Sequence, residues 1–168
     1  MIAMLEPVLS EIREEAAITK RVLERVPADK LSWKPHRKSM SLGQLALHIA
    51  SVPGGLTKIL QQNEFEANPA NFDPPSPKNI QEIHATFDQS LRAAEEFLND
   101  MSEQSAQASW RLTVKGKHVF TKPRIGVVRS IMMNHLYHHR GQLSVYLRLL
   151  DVPVPVIYGR SADESPFA

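Results

Sequence analysis

Apolar residues recur along four stretches of this chain at spacings of three, four and seven, the period that places them on one face of a helix. In the first, roughly Glu6 to Val26, the series is Leu5, Leu9, Ile12, Ala16, Leu23 and Val26. Pro7 fits a first turn, and Pro27 stops the helix. A loop with Trp33 and Pro35 follows. The second helix starts at SLGQ, where Ser41 can cap and Gln44 can reach back. Its stripe is Leu42, Leu45, Ile49, Val52, Leu56 and Ile59, and PGG at 53–55 predicts a kink or break.

The proline-rich NEFEANPANFDPPSPKN reads as a long surface crossover. A third helix begins near Asn79 with Ile80, Ile83, Phe87, Leu91, Ala94 and Leu98 on one face. TVKGKHVF can make a small hairpin turning at Gly116. The fourth helix is predicted from about Pro123 to Leu150, with the stripe Val128, Met132, His135, His139, Leu143, Tyr146 and Leu150. The tail after it is extended and broken by prolines. The pattern predicts an all-α fold: a four-helix bundle of up-down-down-up type, with a long crossover between helices 2 and 3, forming one domain over 1–168.

Composition sharpens this picture in three ways. The 168 residues are 42% hydrophobic and 23% charged, which suits a packed core. There is no cysteine, so the chain has no disulfide and no thiol nucleophile of its own. No apolar run approaches the roughly 20 residues of a membrane-spanning helix, and the N-terminus acquires acids too early for a signal peptide. A cytoplasmic protein is expected.

The net charge of +2 hides an asymmetry. Between Gln104 and Leu150 there is no Asp or Glu, while Arg111, Lys115, Lys117, Lys122, Arg124, Arg129, Arg140 and Arg148 all fall there. Either this is a solvated basic face balanced by acids elsewhere, or it attracts a small anionic ligand. Nucleic acid is not expected, because the cations are spread out and not interleaved with stacking aromatics.

The stretch NHLYHHRGQLSVYLRLL puts imidazoles where leucines would serve the core. His135 and His139 are one turn apart, the spacing at which two ligands on one helix reach one ion. His48 lies on the second helix between the core positions Leu45 and Val52. Alone, it reads as well as a buried neutral histidine; the pair reads as well as a polar patch. Together the three suit a divalent transition metal in a bundle core, with zinc the commonest choice. His138 sits one position off the line, and His36, His84 and His118 lack partners at useful spacing.

NHLYHHRGQLSVYLRLLDVPVPVIYGRSADE, together with LSWKPHRKSMSLGQLALHIASVPG, strongly resembles the DinB-like superfamily, which includes bacillithiol transferases and mycothiol-dependent isomerases. The resemblance covers nearly the whole chain. It implies a four-helix bundle, a homodimer, and a zinc or nickel ion held by His48, His135 and His139. Arg140 and Gln142 match the same run and are candidates for binding substrate, although packing roles serve them equally well. The resemblance further implies S-transfer or isomerisation with a low-molecular-weight thiol and an electrophilic substrate. The alternatives are hydrolysis by bound water, for which no Glu neighbours the histidine pair, and a non-catalytic metal-binding stress-response protein. If the basic segment binds the thiol's carboxylates, replacing Arg124, Arg129 and Arg140 one at a time should weaken thiol binding.

Overall fold

The computed structural model describes residues 4–68 and 74–165. Helices α1 (Glu6–Leu23), α2 (Leu42–Leu60) and α3 (Ile80–Asn99) pack with a final helical rod. That rod joins a short helix α5 (Arg124–Val127), a π-helical stretch (Val128–Met133) and α6 (Asn134–Leu149). α2 lies against α3 and the rod, and α1 against the same two, so four rods enclose one core. Leu9, Ile12, Leu45, Ile49, Ile83, Phe87 and Leu143 are buried in it. Each such side chain contributes about 1.5–3 kcal/mol by leaving water.

Local signals account for the helix starts. Ser41 Oγ accepts from the Gln44 amide while Gln44 Oε1 accepts from the Ser41 amide, the reciprocal cap anticipated from the sequence. Asn79 caps α3 through the Glu82 amide. Pro53 does not break α2, which runs unbroken from Leu42 to Leu60. The Gly54 amide instead donates to Ser90 Oγ of α3 at 2.6 Å, giving a donor beside the proline a partner outside its own helix. A Cβ on Gly54 would meet Ser90 Cα at 3.0 Å, so glycine lets the two helices close up.

The all-α expectation is overturned: beside the rods lies a three-stranded mixed sheet. The crossover after α2 supplies β1 (Glu64–Ala67), and a short helix α4 (Glu103–Gln107) leads into β2 (Ser109–Val114) and β3 (Lys117–Pro123). β1 runs parallel to β2, with Phe65 opposite Leu112; β2 runs antiparallel to β3, with Leu112 opposite Phe120. The hairpin turns at Lys115 and Gly116, both at positive φ (51° and 71°). This is the primed geometry that matches strand twist in two-residue hairpins. EFEA was missed because four residues within a proline-rich stretch carry too short an alternation to register. Its pairing groups come from β2, far away in sequence.

The rod departs from a regular helix in one respect that matters for the site. A π turn holds more residues than an α turn, so it offsets the buried face. The core positions Val128 and Met132 are followed by Leu136, Arg140, Leu143 and Leu147, not by the His135, His139 and Tyr146 of the regular pattern. The histidines are thereby moved from the core to its edge.

Candidate metal centre

His48 stands on α2, and His135 and His139 stand one turn apart on α6, which packs beside it. Each offers a ring nitrogen, and the three nitrogens lie within 4.8 Å of one another. The Nε2 atoms of His48 and His135 face each other at 2.8 Å. The ring of His139 lies 4.6 Å from that of His48 and 4.4 Å from that of His135, centre to centre. His138 touches His139, with ring centres 5.0 Å apart, but stands outside the group of three.

The electrostatics keep these rings neutral. Burial, then the neighbouring His139, lowers the pKa of His48 to about 4. His135 is lowered to about 4 by burial, then by His139, His48 and His138. His139 is also lowered by burial, against the opposing effect of its bond to Gln142. His139 Nδ1 donates to Gln142 Oε1 at 2.7 Å, which leaves its Nε2 lone pair for a ligand.

The donor set fits a divalent transition ion. Two nitrogens each bound at 2.0–2.1 Å in a tetrahedral arrangement lie about 3.3 Å apart, between the 2.8 Å of the His48–His135 pair and the 4.8 Å within which all three nitrogens fall. Facing Nε2 lone pairs at 2.8 Å also require a proton or a cation between them. A cavity of about 540 Å³ opens over the triad, walled by Met40, Leu47, Ser51, Pro74, Glu82 and Thr86. Glu82 and Thr86 come from α3. Glu82 lies in the first turn of α3, and nothing along that helix signals which cavity it borders.

The two remaining candidates both have partners within the protein. Arg140 is buried, and its guanidinium donates to the Glu15 carbonyl, Thr19 Oγ1 and Tyr158 Oη while pairing with the Glu15 carboxylate. The offset of the π turn put it in the core. Gln142 holds His139 in place.

Four arginines of the basic segment pair with acids from elsewhere in the fold. Arg111 pairs with Glu64, Arg129 with Glu11, Arg140 with Glu15 and Arg148 with Asp163. Arg124 is buried among the carbonyls of Leu60, Ser105 and Gln62, with Asn63 Oδ1 completing its partners. Arg124, Arg129 and Arg140 thus all have partners within the fold. Among the described residues no helix is long and apolar enough to cross a membrane.

Comparison with known proteins agrees with this architecture. The chain is 27% identical over 165 residues to the uncharacterized protein YrdA of Bacillus subtilis, covering 98% of this chain and 93% of that one. A DinB-like protein from Bacillus cereus superposes with a TM-score of 0.69 at 21% identity, covering 89% of this chain and 95% of its own. A second, YjoA of Bacillus subtilis, superposes with a TM-score of 0.67 at 19% identity, covering 91% and 97%. The family description "DinB family" matches residues 1–166. With that match spanning the helices, the sheet and the histidine triad alike, the chain belongs to the DinB family.

Proposed function

We propose that this chain is a metal-dependent enzyme in which His48, His135 and His139 hold one divalent ion, zinc first and nickel next. The cavity above them takes a low-molecular-weight thiol and an electrophile. The observation that carries this reading is the convergence of three neutral imidazoles on the wall of a cavity large enough for a small molecule. When bound, the ion would supply Lewis acidity, which favours the deprotonated form of a thiol.

The chain's own residues supply the rest. Gln142 fixes the tautomer of His139, and the packed pair α2 and α6 fixes the three rings relative to one another. Met40, Leu47 and Pro74 reduce the water around a bound substrate. Because the sequence has no cysteine, the nucleophilic sulfur must arrive with a cosubstrate. The proposal includes a cytoplasmic homodimer.

One observation favours a second reading. Glu82 brings a carboxylate to the cavity wall, and a carboxylate there could take a proton from water during hydrolysis. The two readings separate in one assay. Protein loaded with zinc or nickel is mixed with candidate thiols and a chromogenic electrophile, beside His135→Ala and a thiol-free control. About one ion per chain, with thiol-dependent turnover lost in His135→Ala, is the expected result. Turnover that ignores the thiol supports hydrolysis. Equal rates in His135→Ala overturn both.

A further inference from the structure

A second cavity, of about 310 Å³, lies on the other side of His48 and His135, between α2, the sheet and the rod. Its walls include Leu56 and Ile59 of α2, Phe65 of β1, Leu112 of β2, Phe120 of β3 and Ile131 of the rod. Among the described residues no charged side chain lines it. The two histidines and Ser51 are shared with the cavity over the triad, so the imidazoles stand at the threshold between the two spaces. Leu56 and Ile59 continue the apolar stripe of α2 yet are only half-buried, whereas Leu45, Ile49 and Val52 on the same stripe are buried. Both pack against the core and line this space.

We infer that this chamber binds the uncharged apolar part, aliphatic or aromatic, of the electrophilic substrate and directs its reactive end to His48 and His135. This rests on the reading of the triad given above. A cavity of about 150 Å³ already admits benzene, so 310 Å³ has room for a ring with further carbons or for a medium alkyl chain. A carboxylate or ammonium group deep inside would be desolvated with no partner, which selects against charged substituents. The sheet is therefore the specificity wall of the site, contributing Phe65, Leu112 and Phe120 across three adjacent strands.

The test uses metal-free and zinc-loaded full-length protein with the uncharged fluorophore N-phenyl-1-naphthylamine, displaced by a series of straight-chain primary alcohols. One fluorophore should bind per chain. Alcohol affinity should rise about fourfold per added methylene, the increment of about 0.8 kcal/mol each, until the chamber is full. Leu56→Phe and Leu112→Phe fill the space and should weaken the fluorophore at least tenfold. Phe120→Ala enlarges it and should move the best alcohol to a longer chain. The opposed directions separate a filled site from a damaged fold.

Fluorophore binding unchanged in both filling variants, or saturating at one per two chains, overturns the proposal. His139→Ala, whose ring belongs to the triad but not to the chamber wall, should keep fluorophore binding while losing zinc. Normal zinc binding with no fluorophore binding sinks the chamber alone; fluorophore binding without zinc binding in the wild type sinks only the metal reading.

Discussion

Arg140 and Glu15 form an ion pair inside the bundle, with Nη2 of the arginine 2.6 Å from Oε2 of the glutamate. The arginine side chain is 1% exposed and the glutamate 12%. Tyr158 of the tail donates to the same carboxylate at 3.0 Å, and Thr19 Oγ1 accepts from the guanidinium at 3.1 Å. Removing one partner of such a pair strands the other charge in a poorly solvated place. Arg140→Met should therefore cost about 3–5 kcal/mol of folding stability. Arg140→Lys should recover little, because an ammonium lacks the planar fork that spans these acceptors. Denaturant unfolding of both variants checks this, and zinc content per folded chain should stay at the wild-type value.

Gln142 acts on the site through His139. Gln142→Leu removes the acceptor for Nδ1–H and frees the ring to turn. Zinc affinity should fall about 10- to 100-fold, the usual effect of losing a partner behind a ligating histidine. Gln142→Glu keeps an acceptor and should retain most of the affinity. Competition with a chelating dye measures both.

Zinc should also stabilise the fold by mass action. At a free concentration 100 times its dissociation constant, the gain is about 2.7 kcal/mol. Thermal unfolding with and without zinc should show this shift in the wild type. The shift should vanish in His48→Ala, whose replaced ring faces His135 at 2.8 Å.

The tail carries a pH dependence. The Arg148 hydrogen bond, then the Val154 amide, holds the Asp163 pKa below 3.8. The Val156 amide, then the charges of Arg21 and Arg25, holds Glu164 below 4.5. Carboxylates with depressed folded pKa values stabilise at pH above the unfolded values, and that contribution is lost as pH falls through the folded ones. Hydrogen exchange at the Val154 and Val156 amides should be slow at pH 6 and accelerate, relative to core amides, as pH falls below about 4.5. In Asp163→Asn the Val154 amide should lose much of that dependence.

The helical part of this architecture was legible because each rod repeats its apolar signal over many turns and carries a local start or stop, as at Ser41, Asn79 and Pro27. The hairpin at Gly116 was legible for the same reason: its turn chemistry is local. The strand at Glu64 was not, since its partner Arg111 lies 47 residues away and four residues carry little pattern of their own. At the site, the i and i+4 spacing of His135 and His139 pointed to a shared ligand. The apolar stripe they continue put both on the buried face. A regular helix puts them in the core, and the π turn instead gives that place to Arg140. The acid-free run before Leu150 could not show its own charge balance, which is settled in space: Glu11 and Glu15 come from α1 and Glu64 from the crossover.

The widened turn at Val128–Met133 makes backbone length a determinant of chemistry. One peptide unit corresponds to about 100° of helical phase. Inserting a single residue there would keep every imidazole and the guanidinium in the sequence, yet move His139 into the buried place of Arg140 and Arg140 into the exposed place of Gly141. Insertions at Lys115–Gly116 end at an exposed tip and leave that phase untouched. Tolerance to changes in length should therefore be sharply uneven along the chain, least where the rod departs from regular geometry.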